Sequence, residues 1–270
     1  MNALGQHRST SLLSHIRISD IRHAILPILN EKGILIMKIA RRVTLLTLVV
    51  LCLFPSAHAK RRPRTRPVAC SQGAPYRNCS ACGTATDTKH KTLNVQKNRG
   101  TAVTSPQQVT VQAIRDPANN TGRFSPSNQV SVTGVVATID PGGVRETCNC
   151  KRDDLRDVHI NVVADPSEVG DQTKYVVVEF TPRWEKTFNF DDSDYETMRK
   201  AVQDQIVGKW VKFDGWMMYD YIHQNASQST SPNNPVCPND GQQHSGCNWR
   251  ATPWEVHPVT AYSVLPGPPH

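Results

Sequence analysis

SDYETMRKAVQDQIVGKWVKFDGWMMYDY, residues 193–221, holds two periods end to end, and their order decides the fold. Ser193-Asp194-Tyr195-Glu196 has the form of a capping box, with the serine hydroxyl set to accept from first-turn amides and the glutamate reaching back. Tyr195, Met198, Val202 and Ile206 then recur at helical spacing, and Gly208 stands where a helix C-terminus needs a residue free to turn left-handed. Directly afterwards the period changes to two. Val211, Phe213, Met217 and Tyr219 alternate with Lys212, Asp214, Met218 and Asp220 around a central Gly215, the pattern of a half-buried strand with a bend.

Upstream lie three stretches rich in β-branched residues, at 129–140, 157–165 and 173–180. The first contains Gly134, a second candidate bend; the next ends at the turn signal Asp165-Pro166, and the third is stopped by Pro182. Downstream, a polar loop at 224–246 leads to VTAYSVL, 259–265, read as a last strand beginning behind Pro258, with Trp254 in the lead-in covering the barrel. Three strands, a helix and two strands, with glycine bends in the first and fourth strands, predict an all-β architecture: a five-stranded, OB-fold-like barrel. An open α+β sheet is the alternative.

Residues 37–59, MKIARRVTLLTLVVLCLFPSAHA, have the layout of a signal peptide. Lys38, Arg41 and Arg42 precede an apolar stretch at 43–54, Pro55 breaks it, and Ala57-His58-Ala59 predicts cleavage after Ala59. The apolar stretch is shorter than the roughly 20 residues that span a bilayer. An exported protein, periplasmic or extracellular, is therefore expected, with no membrane span after cleavage; an anchor through 43–54 is the alternative. Residues 1–36 read as an upstream extension or long n-region, 60–89 as a basic, cysteine-containing flexible segment, 90–129 as an irregular extension packed on the barrel, and 130–266 as the barrel.

The formal charge of +8 belongs to the head of the chain, since residues 130–270 carry 12 Lys and Arg against 19 Asp and Glu, a net −7. An acidic domain lacks the cationic groove that single-stranded nucleic acid requires. Nucleic acid is accordingly not the expected partner, and a small molecule, a glycan or a protein is. Behind the cleavage point stand Cys70, Cys79, Cys82, Cys148, Cys150, Cys237 and Cys247, an odd count that leaves one thiol over. Disulfides are the default outside the cytoplasm. Cys237 and Cys247 flank a polar loop and suggest a local bridge, and zinc on Cys79, Cys82, Cys148 and Cys150 is disfavoured by irregular spacing.

Several segments resemble, taken together, a family of exported bacterial OB-fold-like domains of unknown function. They are Leu93-Asn94 and Lys97-Asn98-Arg99, then Asp157-Val158-His159-Ile160, then Val178-Glu179-Phe180-Thr181-Pro182. Gly215-Trp216-Met217-Met218-Tyr219-Asp220 with His223-Gln224 follows, and Trp254-Glu255-Val256-His257-Pro258-Val259 comes last. The resemblance covers about 90–270 and implies fold and export, not a reaction. The cysteine-flanked insertion at 237–247 departs from it.

Asp157 and His159, two apart on a strand, share one face, and so do Glu255 and His257. With His223 and Trp254 they are the candidate binding residues. No cofactor is predicted, but a divalent metal is admitted on His159, His223 and His257, with a carboxylate. The plainer reading makes His257 and Asp157 buried partners that fix the closing strand. No hydrolase or phosphate-loop motif is present, so no catalytic residue is assigned. The expected function is an extracytoplasmic binding or structural module. A metal-dependent enzyme is the first alternative and a single-stranded nucleic-acid binder the second.

Overall fold

A computed structural model describes residues 69–116, 124–190, 193–238 and 244–269. The stretch read as a signal peptide, the extension before it and the basic run at 60–66 lie outside the described residues. Among those described, no helix is long and apolar enough to cross a membrane.

The strands are β1 (Gln107–Thr110), β2 (Gln129–Pro141), β3 (Val158–Val163), β4 (Val176–Phe180), β5 (Trp210–Tyr219) and β6 (Trp254–Val264). The helices are α1 (Thr88–Lys97), α2 (Val111–Arg115), α3 (Pro182–Glu185) and α4 (Tyr195–Ile206). Strands β2, β3, β4, β6 and β5 follow one another around a ring that closes when β5 pairs back onto β2. That closure makes an OB-fold-like barrel and not an open sheet. β4 and β6 run parallel, while the other pairs within the ring are antiparallel. β1 lies outside the ring, parallel to β2.

The helix and strand of residues 193–221 form as the two periods require. Met198, Val202 and Ile206 are the buried residues of α4. The cap, however, is Asp194 and not Ser193: its carboxylate accepts from the Thr197 amide at 2.7 Å. Glu196 does not reach back but turns to Arg199, 2.9 Å away, and Arg156, 3.3 Å away. Gly208, just beyond the C-cap, has φ +77°, a conformation that penalises any side chain. At Gly215 a Cβ would stand 2.6 Å from the Pro258 carbonyl oxygen, so only glycine allows β5 and β6 to close there.

The last strand starts five residues earlier than its sequence suggests. It runs from Trp254 through a cis His257–Pro258 bond to Val264. Proline is a poor member of a ladder because it has no N–H. Here it falls where the pairing is irregular, between Met217↔Val256 and Gly215↔Val259, so no ladder bond is lost.

Alternation sorts the barrel's side chains. Val158, Ile160, Val178, Phe180, Trp254 and Val256 face inward, into one core with Phe213 and α4. Phe180 stands among Phe188, Phe190, Phe213 and Tyr262, with ring centroids 4.7–6.3 Å away. Burying each such side chain contributes roughly 1.5–3 kcal/mol.

The segment read as flexible is held in place from Ala69 onward. Cys70 bridges to Cys82 and Cys79 to Cys150, while Cys237 bridges to Cys247 as the loop suggested; Cys148 stays free and buried. The extension is also more regular than expected, since it supplies α1, β1 and α2.

Candidate functional site

The outward positions of β3, β4 and β6 should meet water, as one face of an antiparallel sheet commonly does. Instead they carry His159, Asn161, Glu179, Glu255 and His257, all buried. The cover is α1, the loop 142–157 and the described parts of the segment before β6, residues 220–238 and 244–253. Two amides, Asn94 on α1 and Asn98 at its C-cap, hold it down. Asn94 donates to the Cys82 carbonyl at 2.8 Å and Thr147 Oγ1 at 3.0 Å; Asn98 donates to the Ala81 and Cys148 carbonyls at 3.0 and 2.8 Å.

Sealed between wall and cover is a network of ionisable groups. His159 is the ladder partner of both Asp140 and Glu179. Its Nε2 lies 3.5 Å from Glu179 Oε1 and 3.7 Å from Glu146 Oε1. His257 Nδ1 stands 2.8 Å from Glu179 Oε2 and 3.3 Å from Glu255 Oε1, the latter in hydrogen-bonding alignment. Its Nε2 faces Asp157 Oδ2 at 3.9 Å. Glu255 in turn holds Arg250 at 2.7 Å. On the cover, Lys97 Nζ lies 3.3 Å from Asp220 Oδ2, whose carboxylate also meets His223 Nδ1 at 2.9 Å.

Mutual proximity decides the protonation states. Burial works against a charge on either imidazole, but the carboxylates outweigh it. Glu179 and Glu146 raise His159 to about 9, and Glu179 with Glu255 raises His257 to about 10. Burial pulls Glu146 upward, yet the His159 hydrogen bond and the Lys97 charge hold it at about 2. Asp157 goes the other way: burial, then repulsion from Glu146, lifts it to about 6. Burial, with Asp157 and Glu146 beside it, also pushes the Cys148 thiol well up. Neighbouring carboxylates thus titrate far apart, Asp157 well above Glu146, and perturbed groups of this kind cluster at functional sites.

Above the network opens a cleft of about 650 Å³. Lys97, Glu146, Cys148, His159 and Asp220 line its floor, and Asn161, Gln172, Tyr175, His223 and Trp249 belong to its walls. The Trp249 ring lies parallel to His159 at 6.4 Å, with the Arg250 guanidinium 5.0 Å from its centroid.

The candidate residues fall into separate places. Asp157, Glu255 and His257 lie in the buried network, and His159 joins it to the cleft. His223 sits on the cover, in edge contact with Trp249 at 5.3 Å. Trp254 points the other way, wholly buried in the barrel core against Phe124 and Tyr219. The three imidazoles do not form one ligand set. Among the described residues, the groups of three whose ligand atoms all lie within 4.8 Å of one another are Asp157–Glu179–His257 and Glu146–Cys148–Asp157, and either could hold a metal ion.

Sequence reasoning missed Glu146, Cys148 and Arg250 as site residues. Glu179 had a signal: it is the lone charge in a run of buried aliphatics, VVVEF. Lys97 and Asp220 stood in the resembling segments without a role. Comparison with known protein families, curated proteins and solved structures returns no match, which leaves the geometry of the site as the guide to what it does.

Proposed function

We propose that the chain is an extracytoplasmic binding domain whose cleft takes a small hydroxyl-rich ligand, a sugar or short glycan. One observation carries the reading. Asn161 Oδ1 and Gln172 Oε1, both on cleft residues, are buried without a hydrogen-bond partner. Each such orphan costs roughly 1–3 kcal/mol, which hydroxyl groups of a bound ligand would offset. Trp249 and Tyr175 supply apolar ring surface for the faces of a sugar, in the usual division of a pocket into apolar walls and a few polar anchors. Three disulfides among the described cysteines support an oxidising compartment. Titration of the full chain with a panel of mono- and oligosaccharides, followed by tryptophan fluorescence and calorimetry, tests it. Saturable binding that Trp249→Ala and Gln172→Ala abolish is expected; a panel silent up to millimolar concentration defeats the reading.

A second reading, a metal-dependent enzyme, is supported by Glu146 and Cys148, which line the cleft and form a ligand group with the deeper Asp157. It predicts turnover of some ester or glycoside in a chromogenic panel, lost in Asp157→Asn. Absence of any turnover with zinc, manganese or calcium added removes it.

A further inference from the structure

Where β2 and β3 pair beneath the cleft, Thr138 stands opposite Asn161 and Asp140 opposite His159. The Asn161 amide donates through Nδ2 to Thr138 Oγ1 at 2.8 Å and to Asp140 Oδ2 at 2.6 Å. A carboxylate only accepts, so the amide nitrogen must face Asp140 and Oδ1 is turned away from it. That oxygen is unpartnered, on a residue 1% exposed. Gln172, 7% exposed, holds a second buried and unpartnered oxygen, Oε1. Both residues line the cleft, and so do Asp140 and Tyr175. Tyr175 lies two positions before Val177, the ladder partner of Asn161, and shares its outward face. Burial, with the Asp140 and Asp171 charges behind it, pushes the Tyr175 hydroxyl up, so Asp140 is within electrostatic reach of that side chain.

Most charges that line the cleft are matched within it. Lys97 is set against Asp220 at 3.3 Å and Glu146 at 4.0 Å. His159 faces Glu179 and Glu146, and His223 faces Asp220. Arg145 is exposed to solvent. Asp140 differs: among the described residues no cation pairs with it, and its side chain meets only the neutral Asn161 amide.

Two open acceptors beside an unpaired carboxylate call for a ligand group that donates and carries positive charge. A hydroxyl has a single proton to give and leaves the carboxylate unmatched, whereas an ammonium has three donors and no acceptor. Its hydrogen bonds to a carboxylate are charge-assisted, roughly twice as strong as neutral ones. An aromatic face alongside adds attraction for a cation. We propose that Asp140, Asn161 Oδ1 and Gln172 Oε1, with Tyr175 beside them, form a subsite for a primary ammonium group, so that the ligand of the cleft is an amino sugar with its amine free. The inference rests on the sugar reading and narrows it. Trp249 takes a face of the sugar ring, and the subsite takes the amine. Acetylation of that amine removes its charge and two of its three protons, so the subsite discriminates against the N-acetylated sugar.

The test uses the full chain with its disulfides formed and a matched set of sugars that differ at one ring carbon. Glucosamine, glucose and N-acetylglucosamine, each as the monosaccharide and as its β-linked oligomer, are titrated by calorimetry near neutral pH. The free amine should bind at least about tenfold more tightly than the hydroxyl and N-acetyl forms. Asp140→Asn, which keeps an acceptor for the Asn161 amide but removes the charge, should cut that advantage to about twofold or less. Raising the pH until the ligand's amine is neutral should erase it in the wild type. Hydroxyl or N-acetyl forms that bind as tightly as the amine overturn the subsite and leave the sugar reading standing. An advantage that survives Asp140→Asn also overturns it. Silence from every member of the set counts against the sugar reading and takes the subsite with it. If the variant fails to fold, the wild-type comparison across the set decides.

Discussion

Arg250 and Glu255 meet with Nη2 2.7 Å from Oε2 in a place where neither side chain has exposed surface. The guanidinium also donates through Nε to the Thr252 carbonyl at 2.8 Å. The pair ties the loop before β6 to the strand that carries His257. Removing one member of a buried pair costs about 3–5 kcal/mol because the other charge is left enclosed, whereas replacing both by apolar groups can be nearly neutral. Arg250→Met should therefore lower the urea midpoint sharply, and Arg250→Met/Glu255→Leu should recover much of the loss. A double variant as unstable as the single would show that the loop, and not the ion pair, holds this region.

The thiol of Cys148 is enclosed by the network and should not react in the native state. Iodoacetamide followed by peptide mapping should leave it unmodified under native conditions and alkylate it once denaturant is added. The six bridged cysteines should stay unmodified in both samples without reductant. Native labelling of Cys148 would mean that the cover opens readily.

The two well-separated bridges differ in the length of chain they close. Cys79–Cys150 spans 71 positions and Cys237–Cys247 spans 10. Chain-entropy estimates give roughly 4 kcal/mol for the longer loop and about 3 kcal/mol or less for the shorter. Thermal unfolding of Cys79→Ala/Cys150→Ala should thus fall below that of Cys237→Ala/Cys247→Ala. The reverse order would place more of the constraint in the 237–247 loop than its length allows.

Arg115 on α2 makes a two-pronged contact with Glu168, at 2.8 and 2.6 Å. The guanidinium hydrogen bonds hold the Glu168 carboxyl below its ordinary value. A depressed carboxyl stabilises the fold above its unfolded value, about 4.3, and loses that contribution as pH falls through its folded value. The stability gap between wild type and Glu168→Gln should be widest near neutrality and narrow below about pH 4.3. A gap constant with pH would assign the effect to packing.

The barrel core makes a plainer demand. Phe180 has no exposed surface and touches four aromatic rings. Phe180→Ala should cost about 3–5 kcal/mol, measured by denaturant unfolding. A cost below about 1 kcal/mol would mean that the cluster collapses into the space.

The sequence by itself determined the barrel and its inward face. Alternation is a local property, set by which side of the chain each residue takes, so Val211, Phe213 and Met217 announced β5 without outside help. The helical period placed α4 between β4 and β5, and two glycines marked where strands press closely. It also put Asp157 with His159, and Glu255 with His257, on common faces. What it did not determine was the fate of the outer face. An outward histidine or glutamate reads the same whether it meets water or a second layer. Only the tertiary structure laid α1 and two long loops across β3, β4 and β6, using contacts such as Asn98 with the Cys148 carbonyl, 50 positions apart. Pro258 misled for the same reason: whether a missing N–H ends a strand depends on the partner's register, which lies in β5. Enclosure then did the chemistry, because removing water brought carboxylates, imidazoles and a thiol within a few ångströms and made their charges depend on one another.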